Sequence, residues 1–282
     1  MGVEFVLRAV SNGDHRDNTM KYFAMYMNEL FGEDADVEHP APYQVYEAKK
    51  TAKDRLEVSA EKTVYTSDGQ LNDAGDPVQP QGHKLLRSDQ MVVSYSGRLV
   101  REKAGRGGNS QNRGNFDMGS GTDSRGAFDN RNVIEMVKNG IQVVIYGNVQ
   151  ANNADSDRLK DDLIKLAADI HKIKKDAHPR EAAKMGRFVF VPRFSLDEQR
   201  QLLAATDVQV QDSYPSTEAA GFTEADVSAC GGIEVGTLRT DNEVGEGLFQ
   251  AQGIPMDLEQ KGVGNVLTPA PSEWNTRTIW KD

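Results

Sequence analysis

After Gln90 the apolar positions fall into a repeating order: the run MVVSYSGRLV, a helical stretch NRNVIEMVKNG closed by glycine, the run IQVVIYGNV, the long amphipathic DSDRLKDDLIKLAADIHK, and RFVFVPRF. The order continues through SLDEQRQLLAAT, DVQVQD, TEADVSACGG and IEVGTL. Short runs rich in Val, Ile and Phe predict strands covered on both faces, and the 3.6-residue apolar spacing between them predicts helices. Ser195, with Glu198 three residues later, predicts a capping box at the start of the SLDEQRQLLAAT helix. Strands alternating with amphipathic helices imply a parallel sheet with right-handed crossovers. The fold class expected is therefore α/β, a doubly wound, Rossmann-like parallel sheet over residues 91–260.

The first ninety residues follow another pattern. NTMKYFAMYMNELF sets Met20, Phe23, Met27 and Leu30 on one helical face, with Asn18 or Thr19 as N-cap and Gly32 as the stop. From Glu38 to Gln90 the chain is charged and dotted with Pro and Gly, which predicts one helix near Tyr46 to Val58 followed by a long turn-rich stretch. Residues 1–90 are thus expected to be an irregular N-terminal extension. Within the sheet domain, residues 104–129 form an insertion rich in Gly, Asn, Ser and Arg. A loop of that length is either functional or a tolerated surface insertion. The tail, residues 261–282, carries Trp274 and Trp280 and is expected to pack back on the domain.

Composition narrows the class of partner. Among 282 residues, 43 acidic against 33 basic side chains give a formal charge of −10, which argues against general affinity for nucleic acid or anionic lipid. Any phosphate must be held by a few placed cations. The single cysteine, Cys230, excludes an internal disulfide and a multi-cysteine metal site, and it reads as a packed core thiol. Five histidines lack ligand spacing, so no metal is expected. There is no apolar run of about 18 residues and no signal-peptide pattern at the N-terminus. A cytoplasmic, untargeted chain with no membrane partner is the expectation.

Open parallel sheets bind ligands outside the carboxyl ends of their strands, and four such ends are informative. The first is SGRLVREKAG, where Arg98 ends a strand, Gly97 precedes it and Lys103 follows five positions on. Two cations beside glycine suit a diphosphate; on spacing alone they are equally two solvated charges. The second is YGNVQ, where Gly147 either admits a ligand close to the backbone or serves a turn. The third is VPRF, in which Pro192, Arg193 and Phe194 can line the edge of a base, with Phe194 alternatively a core residue or a hydrophobic staple. The fourth is DSYPSTEAAGFTEADVSACGG, where Glu218 precedes a helix opening near Phe222 and Thr223, and Asp226 lies one turn inside it. The amides of such a helix start attract an anion or sugar hydroxyls, and the two carboxylates are either hydroxyl ligands or ordinary first-turn acids.

The first and fourth segments together resemble the C-terminal, donor-binding half of GT-B retaining glycosyltransferases of the glycogen synthase and glycogen phosphorylase type. In that superfamily a strand ends in arginine with lysine five positions on, as Arg98 and Lys103 do here. A later stretch carries two acids in an E-x7-E pattern, to which Glu218 and Asp226 correspond, with Asp in place of the second Glu. From Thr217 to Leu238 the run also resembles the phosphorylase stretch T-E-A-S-G-x-x-x-M-K followed by N-G-x-x-x-x-G-T. Asp226 stands where phosphorylases have the lysine that forms an imine with pyridoxal phosphate. A carboxylate cannot form that imine, so the resemblance implies no resident cofactor and a nucleotide-diphosphate-sugar co-substrate instead. It implies Asp226 on the ribose, Arg98 and Lys103 on the diphosphate, and Glu218 with the amides of Gly221, Phe222 and Thr223 on the transferred sugar. The implied reaction is retaining transfer of a hexose, with glucose the expected one, to a glycan or small acceptor.

GT-B enzymes close a cleft between two Rossmann-like domains, and residues 1–90 are too few to supply the acceptor domain. VSNGDHRDNT resembles the Asn-Gly turn that precedes the second domain in that superfamily. The resemblance therefore implies the carboxyl half of a larger enzyme, with an N-terminal acceptor domain as partner in cis or in trans. Two alternatives remain at this point: a glucan phosphorylase-like domain without pyridoxal phosphate, and a non-catalytic sugar- or nucleotide-binding module.

Overall fold

Val92–Arg98, Gln142–Asn148 and Phe188–Val191 form strands β3, β4 and β5, buried throughout except at Gly97, Arg98 and Asn148. Such unalternating burial requires cover on both faces of the sheet. In the computed structural model, residues 25–32, 42–58, 62–99, 128–193, 195–211, 227, 230–236, 253–255 and 266–268 are described. The remaining strands are β1 (Tyr65–Leu71), β2 (Pro77–Val78), β6 (Val208–Gln211), β7 (Ile233–Gly236), β8 (Gly253–Pro255) and β9 (Val266–Thr268). They make one sheet in the order β2-β1-β5-β4-β3-β6-β7-β9-β8. From β5 to β8 every pairing is parallel; β1 pairs antiparallel with both β5 and β2. The expected α/β class and Rossmann-like sheet are present.

The helices are α1 (residues 25–31), α2 (Pro42–Arg55), α3 (Asn130–Lys138), α4 (Ala154–Asp176), α5 (Pro179–Ala182) and α6 (Leu196–Ala205). Their starts follow local chemistry. Asp129 accepts from the Asn132 amide at 2.8 Å to begin α3, and Asn153 accepts from the Ser156 amide at 3.0 Å to begin α4. Leu159, Leu163, Leu166, Ala167 and Ile170 put one stripe of α4 on the sheet. That face also buries Val93, Tyr95, Val143, Ile145, Phe188 and Phe190, with α3 beside α4. The opposite face buries Val92, Val144, Tyr146, Val189 and Val191 under α6, with Tyr26, Leu30 and Ala52 from α1 and α2. Successive strand residues thus feed two different cores, as the pleat dictates.

Two local expectations are corrected. The helix expected near Tyr46 to Val58 runs instead over Pro42–Arg55, because proline is well suited to a first helical turn and Val58 is drawn into the second core. The capping box at α6 does not form: Ser195 occupies the N-cap position but its side chain makes no cap hydrogen bond. The reason is competition. The Ser195 amide donates to Tyr146 Oη at 2.6 Å, and Glu198, which would have accepted it, is held by other side chains.

The turn-rich stretch before residue 90, which the sequence reading leaves without strands, supplies the β1–β2 hairpin. Its turn closes on Asn72, whose Oδ1 accepts from the Ala74 and Asp76 amides at 3.0 and 2.8 Å. Asp68 in β1 then fastens the hairpin to the domain. Its carboxylate binds Lys174 of α4, Arg187 at 3.0 Å and Arg87 at 3.0 Å. Burial by itself would push Asp68 up, but these three cations overcome it and hold the carboxyl below its ordinary range.

Candidate functional site

Numbered among the parallel strands alone, β5-β4-β3-β6-β7 is the order 3-2-1-4-5 of doubly wound nucleotide-binding sheets. The chain winds one way from β3 through β4 to β5 and the other way from β6 to β7. The switch point therefore lies between β3 and β6, which pair in parallel through Val93↔Val208 and Ser94↔Gln209. Below it a buried network crosses the two strands: Ser94 Oγ donates to Gln209 Oε1 at 2.5 Å and lies 2.9 Å from Thr206 Oγ1. Two further buried atoms of these strands, Ser96 Oγ and Gln209 Nε2, have no hydrogen-bond partner. Unmatched polar atoms at a buried strand pair are rare and call for an explanation.

Arg98 is the last residue of β3 and is exposed. Among the described residues its guanidinium has no ion-pair partner, and it stands at the carboxyl end of the central strand beside the switch point. Its backbone is fixed from both sides. Tyr95 Oη donates to the Arg98 carbonyl at 2.8 Å, and the Leu99 amide donates to the Asn148 carbonyl at 3.0 Å. Gly97 and Gly147 face each other in register across β3 and β4. A Cβ on Gly97 would lie 2.9 Å from Tyr95 Oη, and one on Gly147 would lie 2.6 to 2.8 Å from the side chain of fully buried Leu99. Both glycines thus make room for neighbouring side chains of the same strand end.

Arg193, just beyond β5, is committed elsewhere. Its Nε and Nη2 reach the two oxygens of Glu198 at 3.0 and 3.2 Å, and Nη1 reaches the Thr63 carbonyl at 3.4 Å. Lys62 binds the same carboxylate, and Tyr146 Oη sits 3.1 Å from it and 2.9 Å from the Ser195 carbonyl. Burial alone would raise Glu198; hydrogen bonds from Arg193 and Lys62 prevail and keep it below the ordinary range. Burial also pushes the Tyr146 phenol well above its usual value, with the Glu198 carboxylate adding to the effect. This cluster of charge ties together the entry to β1, the exit of β5 and the start of α6. At this end of the sheet it leaves Arg98 as the available arginine among the described residues.

Of the residues singled out by sequence, Arg98, Gly97, Gly147 and Arg193 therefore lie at the strand ends, with Arg193 paired and Arg98 without an ion-pair partner among the described residues. Lys103, Phe194, Glu218, Gly221, Phe222, Thr223 and Asp226 lie outside the described residues. Sequence reasoning missed Tyr95 and Tyr146, because an aromatic inside an apolar run reads as core and nothing in the pattern reveals where its hydroxyl points. Among the described residues no group of three His, Cys, Asp or Glu side chains is placed to hold a metal, and no helix is long and apolar enough to cross a membrane.

No protein-family model matches the chain, and neither does any curated protein. Among solved structures, Anabaena Alr3699/HepE in complex with UDP and glucose aligns with 68% of this chain and 38% of its own at 15% identity, with a TM-score of 0.37. The likeness is distant. The same Anabaena protein in complex with UDP-glucose aligns with 64% of this chain and 36% of its own, at 15% identity and a TM-score of 0.34. This chain thus spans well under half the length of that structure.

Proposed function

We propose that the chain is the donor-binding domain of a retaining glycosyltransferase, taking a nucleotide-diphosphate hexose. The observation that carries this reading is Arg98, without an ion-pair partner among the described residues, at the end of the central strand beside the switch point where doubly wound sheets bind nucleotides. Connectivity supports it. The chain leaves β3 into the segment that holds Lys103 and leaves the adjacent strand β6 into the segment that holds Glu218 and Asp226. Both motifs thus begin from one pair of strand ends. The buried, unmatched Ser96 Oγ and Gln209 Nε2 add polar capacity beneath them.

In this reading Arg98 and Lys103 neutralise the charge that builds on the diphosphate as its bond to the hexose breaks. Asp226 accepts hydrogen bonds from the ribose hydroxyls, while Glu218 and the amides of Gly221, Phe222 and Thr223 hold the sugar. An acceptor domain, in cis or in trans, supplies the hydroxyl that receives the hexose, so the chain alone binds donor without turnover. Calorimetric titration with UDP, ADP and GDP tests the reading. One of the three binds the wild-type chain, and Arg98→Ala with Lys103→Ala weakens it by about 100-fold, as loss of two charge-assisted contacts requires. Equal binding by wild type and double variant sinks the reading.

A further inference from the structure

Arg98 is useful to a diphosphate only if it is held in one place, and the end of β3 contains the parts that hold it. A long guanidinium side chain on a frayed strand end would spend binding energy on its own ordering. Here the end of the strand is tied down on both sides. Tyr95, three residues before Arg98, is 1% exposed, and its ring meets Phe128 edge-to-face at 6.2 Å and 72°. From that anchored ring the hydroxyl donates to the Arg98 carbonyl at 2.8 Å. The geometry depends on Gly97, since a Cβ there would lie 2.9 Å from that hydroxyl and displace it. On the other side Leu99, fully buried, lies over Gly147, and its amide ties to the Asn148 carbonyl at 3.0 Å.

From this arrangement we infer that Tyr95 is a positioning residue for Arg98, and that Gly97 and Gly147 serve the site by seating Tyr95 and Leu99 rather than by touching ligand. The inference rests on the donor-binding reading of Arg98 and adds to it the device that aims the cation. Tyr95 makes no contact with substrate in this scheme; its hydroxyl fixes the peptide from which the guanidinium projects. Gly147, which the sequence offered as a point of close ligand approach or a turn, and Gly97, beside the strand-end cation, are both accounted for by packing within the strand end.

The test compares Tyr95→Phe, which removes only the hydroxyl, with Arg98→Ala in the full 282-residue chain. Calorimetry is run with whichever of UDP, ADP and GDP the wild type binds, and with the matching nucleoside. The ratio of the two dissociation constants isolates the diphosphate, and a general loosening of the fold would move both ligands together. Tyr95→Phe is expected to weaken the diphosphate about fivefold, the equivalent of one lost neutral hydrogen bond, with nucleoside affinity unchanged. Amide 15N relaxation in the ligand-free chain is expected to show increased motion at Arg98 and Leu99 in the same variant. If Arg98→Ala abolishes the diphosphate preference while Tyr95→Phe leaves it at the wild-type value, the positioning role is overturned and the donor-binding reading stands. If no nucleotide binds, or Arg98→Ala binds like wild type, the donor-binding reading itself falls and takes the role of Tyr95 toward a diphosphate with it.

Discussion

Lys49 lies almost fully buried between α2 and α6, its ammonium on the Thr206 carbonyl with the Ala204 carbonyl at 3.5 Å, so a lysine from one helix closes the last turn of another. Removing that charge from water disfavours it, and burial lowers its pKa to about 8 from an ordinary 10.5. The folded chain thus releases this proton before the unfolded chain does. Between pH 8 and 10.5 the unfolded state holds more protons, and stability rises with pH by an amount on the order of 3 kcal/mol. Below pH 8 the contribution is absent, and the buried charge weighs against the fold. Urea denaturation across this range should show the rise in wild type and a flatter profile in Lys49→Met; parallel profiles would refute the assignment. Lys49 sits in a charged, Pro-dotted stretch, so its burial was invisible in the sequence. Cys230, by contrast, was legible as a core thiol and is fully buried, its Sγ 3.9 Å from the Tyr26 carbonyl.

At the scale of elements, α6 shows how tertiary neighbours override a local signal. Ser195 and Glu198 have the spacing of a capping box, and in an isolated peptide that spacing would be expected to form one. In the folded chain the Ser195 amide belongs to Tyr146, and the Glu198 carboxylate belongs to Arg193 and Lys62. Charge-assisted bonds to two cations outweigh a single bond to a backbone amide. Ser195→Ala should therefore cost under about 0.5 kcal/mol, well short of the roughly 1 kcal/mol typical of a working N-cap. Glu198→Gln should cost more, about 1–3 kcal/mol, by loosening the contacts that join β5, α6 and the entry to β1. Urea midpoints of the two variants decide the matter, and the reverse ranking would restore the capping box. The periodic elements themselves, β3 to β6 and α3, α4 and α6, were readable within a few residues because the strands are near-continuous apolar runs and each helix carries one buried apolar stripe.

For the molecule as a whole, the hairpin β1–β2 decides where the domain ends in space. It continues the sheet antiparallel beyond β5, and Asp68 connects it to α4, to the start of β5 and to the loop that carries Arg87. Three cations on one largely buried carboxylate make that connection sensitive to its loss. Asp68→Asn should lower stability by roughly 2–4 kcal/mol, somewhat under the about 3–5 kcal/mol for breaking a fully buried pair, because the carboxylate keeps some exposure. Because the cations hold Asp68 below its ordinary 3.8, its contribution is complete above that pH and is lost as pH falls through the lower folded value. Acid denaturation below pH 3.8 should accordingly be steeper in wild type than in Asp68→Asn, and identical acid limbs would contradict the role given to Asp68.

The alternation of apolar runs and amphipathic stretches determined by itself that a parallel sheet would form with helices on both faces, because strands buried on two sides have no other composition open to them. It also marked Arg98 as a strand-end cation, because only its position relative to the run was needed. The tertiary structure alone decided that, among the described residues, Arg193 is paired and Arg98 is not, since pairing depends on Glu198 and Lys62 approaching from other elements. It likewise decided that Gly97 and Gly147 accommodate Tyr95 and Leu99, and that residues before position 90 complete the sheet. These are matters of which side chains meet across long separations in the chain, and a periodicity within one segment carries no record of them.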